Sequence, residues 1–310
     1  MNGVKEKPSV VIRNWLKKNW VGYIFVCPAV LGFLIFTLWP MLASFVYSFF
    51  DYDMILPMQN FGLQNYIRAF TIDWDKFSKS LSVTFLYTVT AVPLDLVVSF
   101  ALALLLNKSV KGIKVFRVLY YLPCIMPSIA SGLLWRNFFD IEYGLANSML
   151  AALGLPAGTF FTSSKTAMVT LLFTSLFGMG GSMILWIAQL KSIPTELYEA
   201  ASIDGASVFR RLFQITIPLV TPMIFYKLVL GIIGALQAYS GAFIILQGGP
   251  GPDESLMFWG LRIYYSAFGQ DIPNMGYASA LAWMLFLVIG LLTVVIFKTN
   301  KWTFYGEDAQ

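Results

Sequence analysis

Six apolar runs limit what this chain can fold into. They cover residues 21–47, 82–106, 116–135, 167–190, 219–246 and 276–298. A helix rises about 1.5 Å per residue, so roughly 20 apolar residues cross the ~30 Å hydrocarbon core of a bilayer. Each run is long enough. Of the 310 residues, 58% are hydrophobic and 12% charged, which leaves too few polar side chains to coat a water-exposed surface. The sequence therefore predicts an all-α integral membrane protein with about six transmembrane helices. One domain over 1–310, with its core at 80–300, accounts for the pattern, and with short polar tails no fused regulatory domain is expected.

The net charge of +5 is a matter of topology rather than of nucleic-acid binding, because the basic residues lie between the apolar runs and not on one face. With the N-terminus inside, the cytoplasmic segments hold fourteen Lys and Arg: Lys5, Lys7, Arg13, Lys17, Lys18, the four from Lys108 to Arg117, Lys191, Arg210, Arg211, Lys298 and Lys301. The outer loops hold six, with nine acids: Asp51, Asp53, Asp73, Asp75, Asp140, Glu142, Asp253, Glu254 and Asp271. The positive-inside rule then puts both termini in the cytoplasm. The basic tail before the first run resembles the start of a signal peptide. That run is too long, contains Pro28 and Pro40 and lacks an evident cleavage site, so it reads as a retained anchor.

Away from their ends the runs carry two formal charges, Asp95 and Lys227. Either would cost a few kcal/mol facing lipid, so both should face protein or water. Counted from the inner helix ends, Asp95 lies near mid-membrane and Lys227 nearer the cytoplasm. The expectation is a hydrogen-bonded interior Asp95 and a separately snorkelling Lys227, in preference to an Asp95–Lys227 pair. Cys27 and Cys124 fall inside apolar runs and read as packing residues. Histidine is absent, which removes His metal sites and His-dependent triads, and no G-x-x-x-x-G-K-[ST] occurs. The chain is expected to be no enzyme, to hold no metal or cofactor, and to leave any use of ATP to a partner. A membrane enzyme acting on lipid-linked substrates would need acids, lysines or cysteines clustered at one membrane face, and no such cluster is found.

The segment 191–218 between the fourth and fifth runs reads as two short helices. Ser192 is placed to cap the first, Pro194 suits its first turn, Glu196 favours its positive end, and Gly205 can take the left-handed conformation that stops it. The second, with Val208, Leu212 and Phe213 against Arg210 and Arg211, is amphipathic and ends at Pro218. Ala200 and Ala201 offer a smooth face for a partner's groove and Glu199 a carboxylate beside it. A loop that merely reverses the chain fits the same residues.

This stretch resembles the E-A-A-x3-G-x9-I-x-L-P motif of the permease subunits of binding-protein-dependent ABC importers. Glu199, Ala200, Ala201, Gly205, Ile215 and Pro218 match it, and Ile217 replaces the usual Leu. The resemblance implies the type I ABC importer permease fold. It implies a coupling helix seated in a cytoplasmic ATPase, with Glu199 as the charged contact, Ala200 and Ala201 as the packing face, and Asp204 and Gly205 at the turn. It implies as partners a second related permease, two ATPase subunits that use ATP and Mg, an extracytoplasmic sugar-binding protein and membrane lipid, all at a bacterial cytoplasmic membrane.

The chain is similar to the carbohydrate, maltose-transporter branch of these permeases through Pro28, Trp39-Pro40, Phe61-Gly62-Leu63-Gln64-Asn65-Tyr66, Tyr143-Gly144-Leu145-Ala146-Asn147 and Gly248-Gly249-Pro250. By that likeness Thr174, Phe177, Gly178 and Gly181 in the fourth run, and Gly234, Gln237, Ala238 and Tyr239 in the fifth, align with the family's substrate-facing helices. Sugars are neutral and bind to aromatic faces, amides and hydroxyls, and these residues include such groups. The same small residues also suit close helix crossings. Gly178, Gly180 and Gly181 weaken the fourth helix near mid-membrane, for a bend or for tight packing. The remaining alternatives are a non-sugar cargo such as glycerol phosphate, for which Lys227 is the one basic candidate, and a non-transport membrane scaffold.

Overall fold

The computed structural model describes residues 8–108, 111–269 and 273–303, with side chains from residue 20 onward. Lys5, Lys7 and Asp271 lie outside the described residues, as do the side chains of Arg13, Lys17 and Lys18. Helices α1 (Pro8–Phe33) and α2 (Trp39–Tyr47) join through a π turn at Leu34–Leu38. The short α3 (Gln64–Phe70) precedes α4 (Trp74–Leu106). Then come α5 (Ile113–Ile125), α6 (Ser128–Phe138), α7 (Leu145–Ala152), α8 (Ser164–Leu176) and α9 (Gly180–Lys191). Helices α10 (Thr195–Ile203) and α11 (Val208–Arg211) lead through a second π turn, Leu212–Thr216, to α12 (Ile217–Leu219). The chain continues through α13 (Thr221–Leu236), α14 (Ser240–Ile245), α15 (Trp259–Phe268) and α16 (Met275–Lys298).

Helix α4 is the centre of the bundle, packed on α13 and α9 and touching α8 and α15. Its buried residues recur at helical spacing as Phe77, Ser80, Thr84, Thr88, Val92, Ser99, Ala103 and Leu106. Most are small, so neighbouring backbones come close, which is how helices associate where no water drives them together. The hydroxyls are not idle. Thr84 Oγ1 donates to the Ser80 carbonyl at 2.7 Å and accepts the Trp259 N–H at 2.8 Å, fixing the start of α15 against α4. Ser99 Oγ accepts from the Trp186 indole at 2.9 Å, fastening α9. Arg117 caps the far end of α4 by donating to the Leu106 carbonyl at 3.0 and 2.7 Å.

Three stretches are long and apolar enough to cross a bilayer unbroken: Trp20–Tyr47, Trp74–Leu106 and Met275–Lys298. Three pairs do so only as bent units: α5 with α6 at 99°, α8 with α9 at 50°, and Val208–Leu219 with α13 at 64°. The run 116–135, read from sequence as one helix, is therefore broken. Pro127 favours the extended conformation found at Met126 (ψ 137°), because the proline ring crowds the preceding residue when that residue is helical. The run 219–246 is broken as well, since α13 stops at Leu236 and Gln237–Tyr239 separate it from α14. The glycine cluster in the fourth run does mark a bend. A Cβ on Gly180 would strike the Tyr120 carbonyl and lie 2.7 Å from Tyr121 Cα, so α9 and α5 touch backbone to backbone.

The loop sequences that carried the family likeness act as staples. Asn65 Nδ2 donates to the carbonyls of Ser48 and Phe50 at 3.1 and 2.8 Å, and Tyr66 Oη donates to Ser48 Oγ at 2.8 Å, so α3 closes onto the end of α2. Asn147 accepts the Gly158 N–H at 2.8 Å and donates to Ile141, closing the loop around α7. Tyr265 Oη donates to the Gly248 carbonyl, tying α15 to the loop after α14. Helix α15 is not anticipated by the hydropathy pattern, although Trp259 and Leu261 are fully buried in it.

Two stability changes follow. Gly180→Ala should destabilise by on the order of 1–3 kcal/mol, through overpacking against immovable backbone. Gly290→Ala, whose Cβ meets nothing within 4 Å, should not. Fluorescence-detected thermal melts in detergent compare them; equal melts would contradict the backbone contact. Asn65→Ala, which leaves one buried and one part-buried carbonyl without this donor, should cost about 1–3 kcal/mol in the same assay.

Candidate functional site

The surface formed by 191–218 is built for exposure. Pro194 stands at the N-cap of α10, and Ser192, expected to cap it, instead donates to the Gln189 carbonyl of α9 at 2.8 Å. Pro194 has no side-chain acceptor, and the acidic Glu196 occupies the first turn. At the other end Gly205 adopts φ +72°, the Gly205 N–H donates to Ser202 and the Ala206 N–H to Ala201, a Schellman stop. Glu199, Ala200 and Asp204 are exposed and Ala201 half-buried. Ile203 is 87% exposed, and Val208, Phe209 and Phe213 also face outward, so an apolar rim surrounds the acidic helix.

Beneath this surface the segment is firmly held. Ile193 is buried in a cluster with Leu106, Trp186, Leu190 and Val220, and Tyr198 packs against it. The hydroxyls of Tyr198 and Thr216 bond at 2.9 Å, joining α10 to the turn that leads into α13. Arg211 donates to Ser202 Oγ at 2.7 Å, and Ser207 Oγ caps α11 by accepting the Arg210 N–H. Sequence reasoning passes over Tyr198, Ser202, Ser207 and Thr216. A serine directly before the first residues of α11 is a legible N-cap signal, whereas the Tyr198–Thr216 bond joins residues eighteen apart, on α10 and the π turn.

Deeper in the bundle a cavity of about 230 Å³ lies between α4, the α8–α9 bend and α13. Its lining includes Tyr87, Asp95, Ser175, Met179, Gly234 and Ala238. Of the residues aligned with a pathway, Gly234 and Ala238 are there. Phe177 instead lines a separate apolar recess of about 440 Å³, edge-on to Trp135 at 5.1 Å. Thr174 is buried with its Oγ1 on the Leu171 carbonyl at 2.7 Å, and a Cβ added at Gly178 or Gly181 would meet no atom closer than 3.8 Å. Gln237 and Tyr239 occupy the break after α13, where the Tyr239 ring lies against Gly260.

Asp95 and Lys227 do pair, contrary to the sequence expectation. Lys227 Nζ lies 2.9 Å from Asp95 Oδ2, and it also donates to Ser182 Oγ, whose hydroxyl donates to Asp95 at 3.3 Å. Three helices, α4, α9 and α13, thus meet at one polar contact. Residue counting separates the two backbones in depth by only about one helical turn, a gap that the long Lys227 side chain spans. The Lys227 side chain is 14% exposed and that of Asp95 32% exposed. Removing one partner would strand a charge at low dielectric, a cost of about 3–5 kcal/mol where an ion pair is buried and less here, where Asp95 is part-solvated. On the loops Asp140 is held below the usual carboxylate range, chiefly by the Tyr143 N–H and also by that of Glu142.

Comparison with known proteins places this geometry. Residues 95–300 match the family described as binding-protein-dependent transport system inner membrane component. The chain is 39% identical over 300 residues to the probable ABC transporter permease protein YesP of Bacillus subtilis, covering 96% of each. It is 29% identical to the trehalose/maltose transport system permease protein MalF of Thermococcus litoralis, over 91% of this chain and 94% of the relative. Its fold superposes with a TM-score of 0.78, at 20% identity, on a chain of a bacterial alginate ABC transporter crystallised with an alginate pentasaccharide-bound periplasmic protein, covering 93% of this chain and 96% of that one. The chain therefore belongs to the binding-protein-dependent ABC transporter permeases, multi-pass proteins of the cytoplasmic membrane.

Proposed function

We propose that this chain is one permease of an ATP-driven sugar importer, forming with a second related permease an alternating-access pathway for a sugar or oligosaccharide. In this reading the chain crosses six times, each bent pair counting as one span, so that both termini share one side of the membrane with α10, and the distribution of Lys and Arg supports the cytoplasm as that side. The chain itself is non-catalytic. Two partner ATPases use ATP and Mg, and an extracytoplasmic sugar-binding protein delivers cargo.

The reading rests above all on α10. It exposes Glu199 and Ala200, stops at Gly205, and is tied through Tyr198 and Thr216 to the turn that opens α13. A partner gripping α10 would thereby pull on a helix that lines the cavity. The trehalose/maltose name of one relative supports a sugar as cargo.

The test is sugar-stimulated ATPase activity of the chain reconstituted with its co-purifying partners. Glu199→Ala and Gly205→Val should each cut stimulation about tenfold, within the range of site-to-site coupling energies, while the assembly still inserts. Undiminished stimulation in both would sink the coupling role, and the absence of any co-purifying ATPase would point to a scaffold. Tyr198→Phe, which keeps the ring and loses the bond to Thr216, should lower stimulation by a smaller factor and leave ATPase binding intact.

A further inference from the structure

The 230 Å³ cavity has a charged floor. On α4 the lining runs from Tyr87 to Asp95, and α4 continues past Asp95 to Leu106, beside the 191–218 face. On the α8–α9 bend the lining stops at Met179, three residues before Ser182. On α13 it begins at Leu230, beyond Lys227. Asp95, Ser182 and Lys227 therefore close the end of the cavity that faces 191–218. The three are not equally placed. Asp95 lines the cavity and Lys227 does not, and the Lys227 ammonium is occupied by Asp95 Oδ2 at 2.9 Å and by Ser182. The pair is a dipole with its negative end toward the cavity, and the apolar walls magnify its field.

We infer that this floor selects cargo by charge: Asp95 admits uncharged polyhydroxy compounds and turns away anionic ones, and Lys227 serves to hold Asp95 in place rather than to bind a phosphate or carboxylate. As a statement about cargo it rests on the importer reading; as a statement about the cavity it does not. A neutral sugar can donate hydroxyl hydrogens to the free lone pairs of the carboxylate, whereas a phosphate or uronate would meet like charge there.

Cavity charge is read with thiol reagents of opposite sign. In the full chain with Cys27 and Cys124 replaced by Ser, Gly234→Cys puts a thiol in the cavity, where a Cβ meets nothing within 4 Å. Its rates with the anionic 2-sulfonatoethyl and the cationic 2-(trimethylammonium)ethyl methanethiosulfonates are each divided by the rate with free cysteine. The parent should favour the cationic reagent severalfold. Asp95→Asn should invert that preference by freeing Lys227, Lys227→Gln should strengthen it, and the uncharged double variant Asp95→Asn with Lys227→Gln should bring the ratio to one. The double variant keeps the test alive if Asp95→Asn alone fails to insert. A ratio of one in the parent, unmoved by these changes, overturns the inference. The expected ratios without sugar-stimulated ATPase in the assembled importer would overturn the importer reading and the cargo claim together. Stimulated ATPase with a parent ratio of one would overturn this inference alone.

Discussion

Close approach along α4 is what the rest of the bundle is arranged around. Lipid is as apolar as leucine, so helices in a membrane gain little from hiding apolar surface and must rely on contact and hydrogen bonding. Ser80, Thr84, Thr88, Ser99 and Ala103 are the small buried residues of α4, the helix on which both α9 and α13 pack. The hydroxyls among them then do a second task. They receive the Trp259 backbone and the Trp186 indole, so that two bulky aromatic residues are positioned by small polar ones. Asp95 lies on the same helix, and its ion pair with Lys227 becomes tolerable because α9 brings Ser182 to complete it.

Much of this architecture is legible in the order of the residues. The apolar runs locate the membrane-crossing segments, and the freedom of Gly205 at positive φ marks the stop of α10. What hydropathy misses is direction. It counts apolar residues and so joins α5 to α6 across Pro127, although the proline turns the chain through 99°. The Asp95–Lys227 pair escapes because depth is counted between backbones, whereas the long Lys227 side chain reaches across the difference. Helix α15 stays hidden because Trp259 and Leu261 are buried against α4 and α16 by tertiary packing, while the ten-residue helix is too short to stand out as an apolar run.

The candidate site shows the same division. Glu199, Ala200, Ala201, Asp204 and Gly205 are found by motif because they belong to one helix and its turn. The groups that fasten this helix, Tyr198 to Thr216 and Ser202 to Arg211, are remote in sequence and speak only through geometry. Within the bundle, alignment brings Gly234 and Ala238 to the cavity, but Thr174, Gln237 and Tyr239 line neither it nor the apolar recess. A helix presents different residues to different neighbours at each turn, and the breaks at Gly178 and Gln237 reset that phase.

The contact at Gly180 has a mechanical meaning. Most helices meet through a layer of side chains that can change rotamer and absorb part of a displacement. Between α9 and α5 there is no such layer at this point, since the glycine lies directly on the Tyr120–Tyr121 backbone. Motion of α9 is therefore handed to α5 stiffly and without slack, and the apolar recess that α5 helps to wall must change shape in step with it.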